Sequence, residues 1–200
     1  MKTMTRKILL PILTIVVAVV MQSCGLGIAN ALQKSTDEVN EILEGKVFQT
    51  KCGKVTYNDG VIFTFDEYGK KQRIEDETSI IIYQNDESMI TIDKTSSEKI
   101  AYKQNYSGDG FSTAYCFLEE SIRAGESVDQ YTDENIKEST ETIAGKKCVV
   151  FTLGEDKVGG WKRILFLDNE LRATSFSTNV SSADFEIPDG YSVDIESYSY

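Results

Sequence analysis

From Lys46 onward the chain alternates apolar and polar residues with a period of two, in short runs broken by polar turns. Only a strand puts alternate side chains on opposite faces, so this period restricts the chain to a sheet with one buried face. Val55 and Tyr57, then Val61, Phe63 and Phe65, flank Asn58-Asp59-Gly60. That tripeptide tolerates positive φ and predicts a tight hairpin. Further strands are predicted at Lys71–Glu75, Ser79–Gln84, Met89–Asp93 and Lys99–Lys103. Their connectors, Asp66–Lys70, Asn85–Ser88 and Lys94–Glu98, are short and polar. Sequential strands with such links pair as an antiparallel meander.

A helical period interrupts the pattern once. Tyr115, Leu118 and Ile122 recur at spacings of three and four, Gly108-Asp109-Gly110 precedes them, and Arg123 and Gly125 close the last turn. A second helix is predicted from Thr36 to Glu44, where Ser35 and Glu38 have capping-box spacing, Val39, Ile42 and Leu43 form a stripe, and Gly45 stops it. After an acidic stretch, Val128–Ser139, strands resume at Glu141–Ala144, Cys148–Leu153, Trp161–Leu167 and Leu171–Ser177, and a last one spans Tyr191–Ile195. Gly154–Gly160 and Asp168-Asn169 read as turns. A long sheet with one apolar face must curl or close to limit its exposed edges. The expected fold is therefore mainly β (α+β): a single curved antiparallel sheet or incomplete β-barrel of about ten strands, with two short helices covering its concave face.

The first residues follow a different rule. Lys2, Arg6 and Lys7 precede an apolar run, Ile8–Met21, broken only by Pro11 and Thr14. A run of that length reaches roughly 21 Å against about 30 Å of hydrocarbon, so it reads as a secretory signal, not a span. Met21-Gln22-Ser23-Cys24 resembles a bacterial lipobox, with Met21 where Leu is usual, and marks Cys24 for diacylation. Ordinary cleavage after Ala29-Asn30-Ala31 is the alternative. The expected organisation is a lipoprotein signal peptide at 1–23, a lipidated N-terminus and tether at 24–34, and one domain at 35–200. Removing 1–23 leaves 18 basic against 32 acidic residues, a net charge of −14 where the full chain carries −11. Such a body is repelled by anionic lipid and tethered by its acylated end, with the membrane as its first partner. Gly25–Ala29 lacks the acidic cluster some outer-membrane lipoproteins use for surface display, so the expected location is the cell envelope, at the outer membrane facing the periplasm.

Charge and composition exclude several functions. An acidic chain lacks the Lys and Arg with which nucleic-acid binders neutralise phosphate. No histidine occurs anywhere, which removes the usual general base and the commonest transition-metal ligand. With no CxxC pair and no EF-hand pattern, no metal and no cofactor are expected. The carboxylate pairs Asp66-Glu67, Asp86-Glu87, Glu119-Glu120 and Asp133-Glu134 are sequence neighbours in solvated turns and helix faces, not acids opposed across a cleft. Gly108-Asp109-Gly110 and Gly159-Gly160 lack the strand-to-helix setting of a phosphate loop. The protein reads as a non-enzyme, and nothing in the sequence sets an oligomeric state.

Two residue classes remain as candidate sites. Cys52, Cys116 and Cys148 follow Cys24; Cys116 sits among Tyr115, Phe117 and Leu118 as a small buried hydrophobe, so a disulfide, if one forms, would join Cys52 and Cys148. Phe63, Phe65, Phe151, Trp161, Phe166 and Phe176 fall in strands. They either fill a core or line a pocket for an apolar ligand.

Three segments carry a family likeness: Phe65-Asp66-Glu67-Tyr68-Gly69-Lys70-Lys71-Gln72-Arg73, Ile143-Ala144-Gly145-Lys146-Lys147-Cys148-Val149-Val150-Phe151 and Phe185-Glu186-Ile187-Pro188-Asp189-Gly190-Tyr191. With the lipobox and the meander, they resemble envelope lipoproteins of Gram-negative bacteria related to the LolA/LolB lipoprotein carriers, over roughly residues 46–196. The resemblance implies a LolA-like half-barrel with helices across its mouth and an apolar cavity for acyl chains, and a lipid anchor makes the chain more like LolB. It implies binding of an apolar ligand, a lipid or a lipidated client. The alternative is a structural or interaction lipoprotein with a filled core, docking another envelope component through its acidic surface.

Overall fold

A computed structural model describes residues 47–84, 87–106, 113–125 and 136–195. The expected helix at Thr36–Glu44 lies outside them. The described residues form twelve strands and one α-helix: β1 (Gly53–Tyr57), β2 (Ile62–Asp66), β3 (Lys71–Glu75), β4 (Ser79–Gln84), β5 (Ser88–Asp93), β6 (Ile100–Asn105), α1 (Thr113–Ala124), β7 (Ile136–Ile143), β8 (Lys146–Leu153), β9 (Asp156–Trp161), β10 (Ile164–Leu167), β11 (Ala173–Ser177) and β12 (Ser192–Ile195). The mainly β fold is as expected, but the single sheet is not. There are two sheets, one of eight strands ordered β11-β1-β2-β3-β4-β5-β6-β12 and one of four ordered β10-β9-β8-β7, and they do not close into a barrel.

The β1–β6 meander forms as its turns dictate. At the first hairpin Gly60 takes φ +93° and the Val61 N–H donates to Asp59 Oδ1 at 3.0 Å, so Asn58-Asp59-Gly60 reverses the chain. Every later pair to β6 is antiparallel, whereas β12 pairs parallel with β6. A parallel neighbour needs a crossover, and the segment 178–191 supplies it.

Register explains why one sheet does not suffice. Paired residues share a face, so Val55, Phe63 and Ile74 lie on one side, and Arg73, Ile82 and Ile90 on the other. On the first face, Val55, Tyr57, Phe63 and Phe65 are buried in a core shared with Ile143, Cys148, Val150, Ile164 and Phe166 of the four-stranded sheet. On the opposite face, Ile80, Ile82, Ile90, Ile92 and Ala101 are buried under Phe185, with Val180, Ile187 and Tyr191 packed around them. The buried side therefore changes at β3. A single concave surface would leave one set of isoleucines in water, at about 25 cal/mol for each Å² of apolar surface. The crossover segment is held on its face by the Arg73 guanidinium, which donates through Nη1 to the carbonyls of Asp184 (3.3 Å) and Glu186 (3.2 Å).

Two further corrections concern the C-terminal half. The predicted strand Trp161–Leu167 is split by a reversal at Lys162 and Arg163, both with positive φ (52° and 66°), giving β9 and β10. Gly159-Gly160 lies inside β9, not in a turn. A Cβ on Gly159 would come within 2.9 Å of Val150 Cγ2, and one on Gly160 would run into the Tyr115 ring. These glycines therefore mark close packing. Helix α1 lies across the outer side of the four-stranded sheet, with Tyr115 on Gly160 and the Arg123 guanidinium 5.6 Å from the Phe151 ring centre.

Candidate functional site

The aromatic strand residues come together in two groups between the sheets. Phe48, which sequence periodicity did not single out, contacts Phe63 edge-on at 5.9 Å and Phe65 at 4.6 Å, and Phe63 stacks on Phe65 at 5.7 Å. Trp161, Phe166 and Phe176 form a second triangle with ring centres 5.0–6.1 Å apart. These spacings are those of rings in mutual contact. Phe63, Phe65, Phe151 and Phe166 are fully buried, and Trp161 and Phe176 are half-buried. A Cβ on Gly53 would stand 2.6–2.7 Å from the Phe65 and Phe176 rings. The Phe65 and Phe176 rings thus close over Gly53 on the inner face of the large sheet, which leaves no room there for a side chain.

Phe151 stands apart from both triangles. In β8 it alternates with Cys148 and Val150, so its ring faces the helix side, beneath Arg123. Arg123 also pairs with Glu119 along α1 (3.1 Å) and with Glu138 of β7 (3.5 Å), tying the helix to the sheet edge.

The expected bridge between Cys52 and Cys148 is not formed. Cys52, Cys116 and Cys148 are free thiols, and their sulfurs lie against three different carbonyls, those of Thr178, Val47 and Lys146. Cys52 leads into β1 of the large sheet and Cys148 belongs to β8 of the small one. Burial pushes Cys116 up to about 12 and Cys148 up to about 11, leaving both protonated at neutral pH and poor as nucleophiles. Cys24 lies outside the described residues.

Among the described residues, the carboxylates with displaced pKa are all held low. Hydrogen bonds from the backbone and hydroxyls of Thr78 and Ser79 bring Asp76 down to about 2. Burial raises Glu75, but its bonds to Arg73 and Lys94 outweigh this, and Ser181 and Lys54 do the same for Asp184. Hydrogen bonds from Thr95 lower Asp93. A general acid at neutral pH needs the opposite displacement. Among the described residues no three His, Cys, Asp or Glu side chains cluster to hold a metal ion, and no helix is long and apolar enough to cross a membrane.

Two features were not picked out from the sequence. Opposite its buried isoleucines, the β4–β6 half of the large sheet presents Ile81, Tyr83 and Met89, half-buried, and Tyr102, exposed, with Tyr83 and Tyr106 in ring contact at 4.8 Å. The ammonium groups of Lys146 and Lys162 each lie 4.9 Å from the Trp161 ring centre. The basic pairs Lys146-Lys147 and Lys162-Arg163 are visible in an otherwise acidic chain, but only the fold brings them to one ring.

No protein-family model matches the chain, and no curated protein matches it.

Proposed function

We propose that the protein is a lipid-anchored, non-enzymatic envelope lipoprotein that works as an interaction module, docking another envelope component through its acidic surface. The observation that carries this reading is the mutual ring contact of Phe48, Phe63 and Phe65 and of Phe166 and Phe176, in a core shared by the two sheets. Those are the rings an acyl-chain cavity would need for its walls, and they are spent on each other. The lowered carboxylates and protonated buried thiols favour binding over chemistry. Anchorage rests on the lipobox at Cys24, and location at the outer membrane facing the periplasm rests on the same segment.

A carrier reading remains the second proposal, and the surface of half-buried Ile81, Tyr83 and Met89 and exposed Tyr102 favours it as a place for an apolar ligand. The LolA-like kinship belongs with it, supported by the sequential β1–β6 meander. Purified mature protein separates the two. The interaction reading expects no co-extracted lipid by mass spectrometry and no binding of an apolar fluorophore; stoichiometric lipid would overturn it. Cys24→Ala should release the chain from membranes on fractionation, and unchanged membrane association would overturn the anchor.

A further inference from the structure

Trp161 is the only tryptophan in the chain, and it stands at the end of β9 of the small sheet, where β9 meets β11, an edge strand of the large one. Phe176 of β11 packs on it at 5.0 Å. Lys146 lies over both rings, 4.9 Å from Trp161 and 5.3 Å from Phe176, and exposed Lys162 is 4.9 Å from Trp161. Neither lysine has an ion pair among the described residues, whereas Lys54, Lys71, Lys94 and Lys157 each reach a carboxylate. Other lysines are also without ion pairs, Lys99 over the Tyr191 ring among them, but among the described residues only here do two ammonium groups gather on one ring, a basic spot in an acidic chain. Amphipathic rings beside uncompensated lysines match the headgroup layer of a bilayer, where rings sit at the polar boundary and ammonium groups meet phosphate.

The course of the chain gives an independent reason. At the start of the described segment Phe48 packs on Phe65, the Gln49 N–H donates to the Lys162 carbonyl at 3.4 Å, and the Cys52 thiol donates to the Thr178 carbonyl. The described chain thus begins beside the Trp161 corner, on the sequence side that carries Cys24.

We propose that the Trp161–Phe176–Lys146–Lys162 corner is the surface with which the anchored domain rests on anionic phospholipid, its acidic remainder turned away. The tether argument rests on the lipidated Cys24 reading; the charge argument does not. The corner then orients the acidic docking surface toward its partner.

Trp161 is its own reporter. The full chain, extracted in detergent, is reconstituted into vesicles of phosphatidylcholine alone or mixed with phosphatidylglycerol, each carrying lipid brominated near the headgroup. Quenching of Trp161 is expected on the anionic vesicles and should weaken as salt is added. Lys146→Gln with Lys162→Gln removes two surface charges and should lower the docked-to-undocked ratio roughly thirtyfold. Lys147→Gln, on the opposite face of β8, should leave it unchanged. A chain that floats with vesicles while Trp161 stays unquenched, or is quenched equally in the double variant, overturns the proposal. A chain that fails to float with neutral vesicles refutes the anchor instead. Docking is then judged on phosphatidylglycerol vesicles added to it, where quenching supports the corner and its absence overturns it. If inorganic phosphate alone shifts Trp161 emission as far as the vesicles do, the corner takes a free anion and the membrane assignment is wrong.

Discussion

Truncating Phe63 separates a filled core from a ligand cavity by magnitude alone. Its side chain is fully buried, paired across strands with Val55 and Ile74, and bounded by the rings of Phe48 and Phe65. Deleting such a ring from a close-packed interface removes its transfer free energy and leaves a void that neighbours only partly refill, which costs about 3–5 kcal/mol. Gly53, already at closest approach to Phe65, limits how far β1 can move in, so a value near 4 kcal/mol is expected for Phe63→Ala. Typical domains hold about 5–15 kcal/mol, so the variant should still fold, with a urea midpoint lowered by roughly 2 M if m is about 2 kcal/mol/M. Trp161 emission and far-UV circular dichroism should give coincident transitions with unchanged m. If Phe63 lined a cavity open to water, the same truncation would cost about 1 kcal/mol or less and would weaken binding of an apolar fluorophore to the wild type. A filled core predicts the reverse, with Phe63→Ala acquiring an apolar site that the wild type lacks. A loss below about 1.5 kcal/mol together with wild-type fluorophore binding would refute the filled-core argument.

Other perturbations test the supporting structure. Asp76 accepts from the N–H and O–H groups of both Thr78 and Ser79, which lowers its folded pKa to about 2 from an ordinary 3.8. That stabilisation is present above pH 3.8 and is lost as pH falls toward 2. The full displacement corresponds to about 2.5 kcal/mol, reduced by solvent screening at this turn to about 1 kcal/mol. Asp76→Asn should therefore lose about 1 kcal/mol at pH 7, converging with the wild type below pH 2 in urea titrations. Gly160→Ala should cost about 2–3 kcal/mol, since its Cβ meets the Tyr115 ring and comes 2.6 Å from the Ile164 carbonyl oxygen. Tyr115→Ala should relieve only the ring's share in a double-mutant cycle, and full additivity would contradict the contact. Alkylation at pH 8 followed by peptide mapping should label half-buried Cys52 first, with Cys116 and Cys148 reacting only in denaturant. Fast native labelling of Cys148 would mean that the sheets open there.

How much of this could be read in advance follows from what each signal encodes. The hairpin at Asn58-Asp59-Gly60 and helix α1 were legible because turn chemistry and helical period are local properties. Alternation likewise marked Phe63 and Phe65 as the inward residues of β2, whereas Ile80-Ile81-Ile82 in β4 runs without alternation and leaves its inward side unmarked. Nor does alternation state which side of the sheet inward means. Ile82 is opposite Arg73, and Phe63 is opposite Ile74, so the two isoleucines point to opposite faces of the same sheet. That single parity change turns an expected concave surface into two cores, one closed by a second sheet and one by the crossover segment. Gly159-Gly160 misled for a related reason, because a glycine that yields room to Tyr115 looks in sequence like one that turns the chain. The free thiols follow too, since strand-starting positions look equivalent along the chain while Cys52 and Cys148 belong to different sheets. The aromatic residues were found as a class, with core filling and pocket lining both open. Their role depends on what faces them, and what faces Phe63 and Phe65 is Phe48, from the segment just ahead of the first strand. A chain that brings its entering segment onto its own aromatic strands covers part of their inner face, and the interaction proposed above would therefore use the outside.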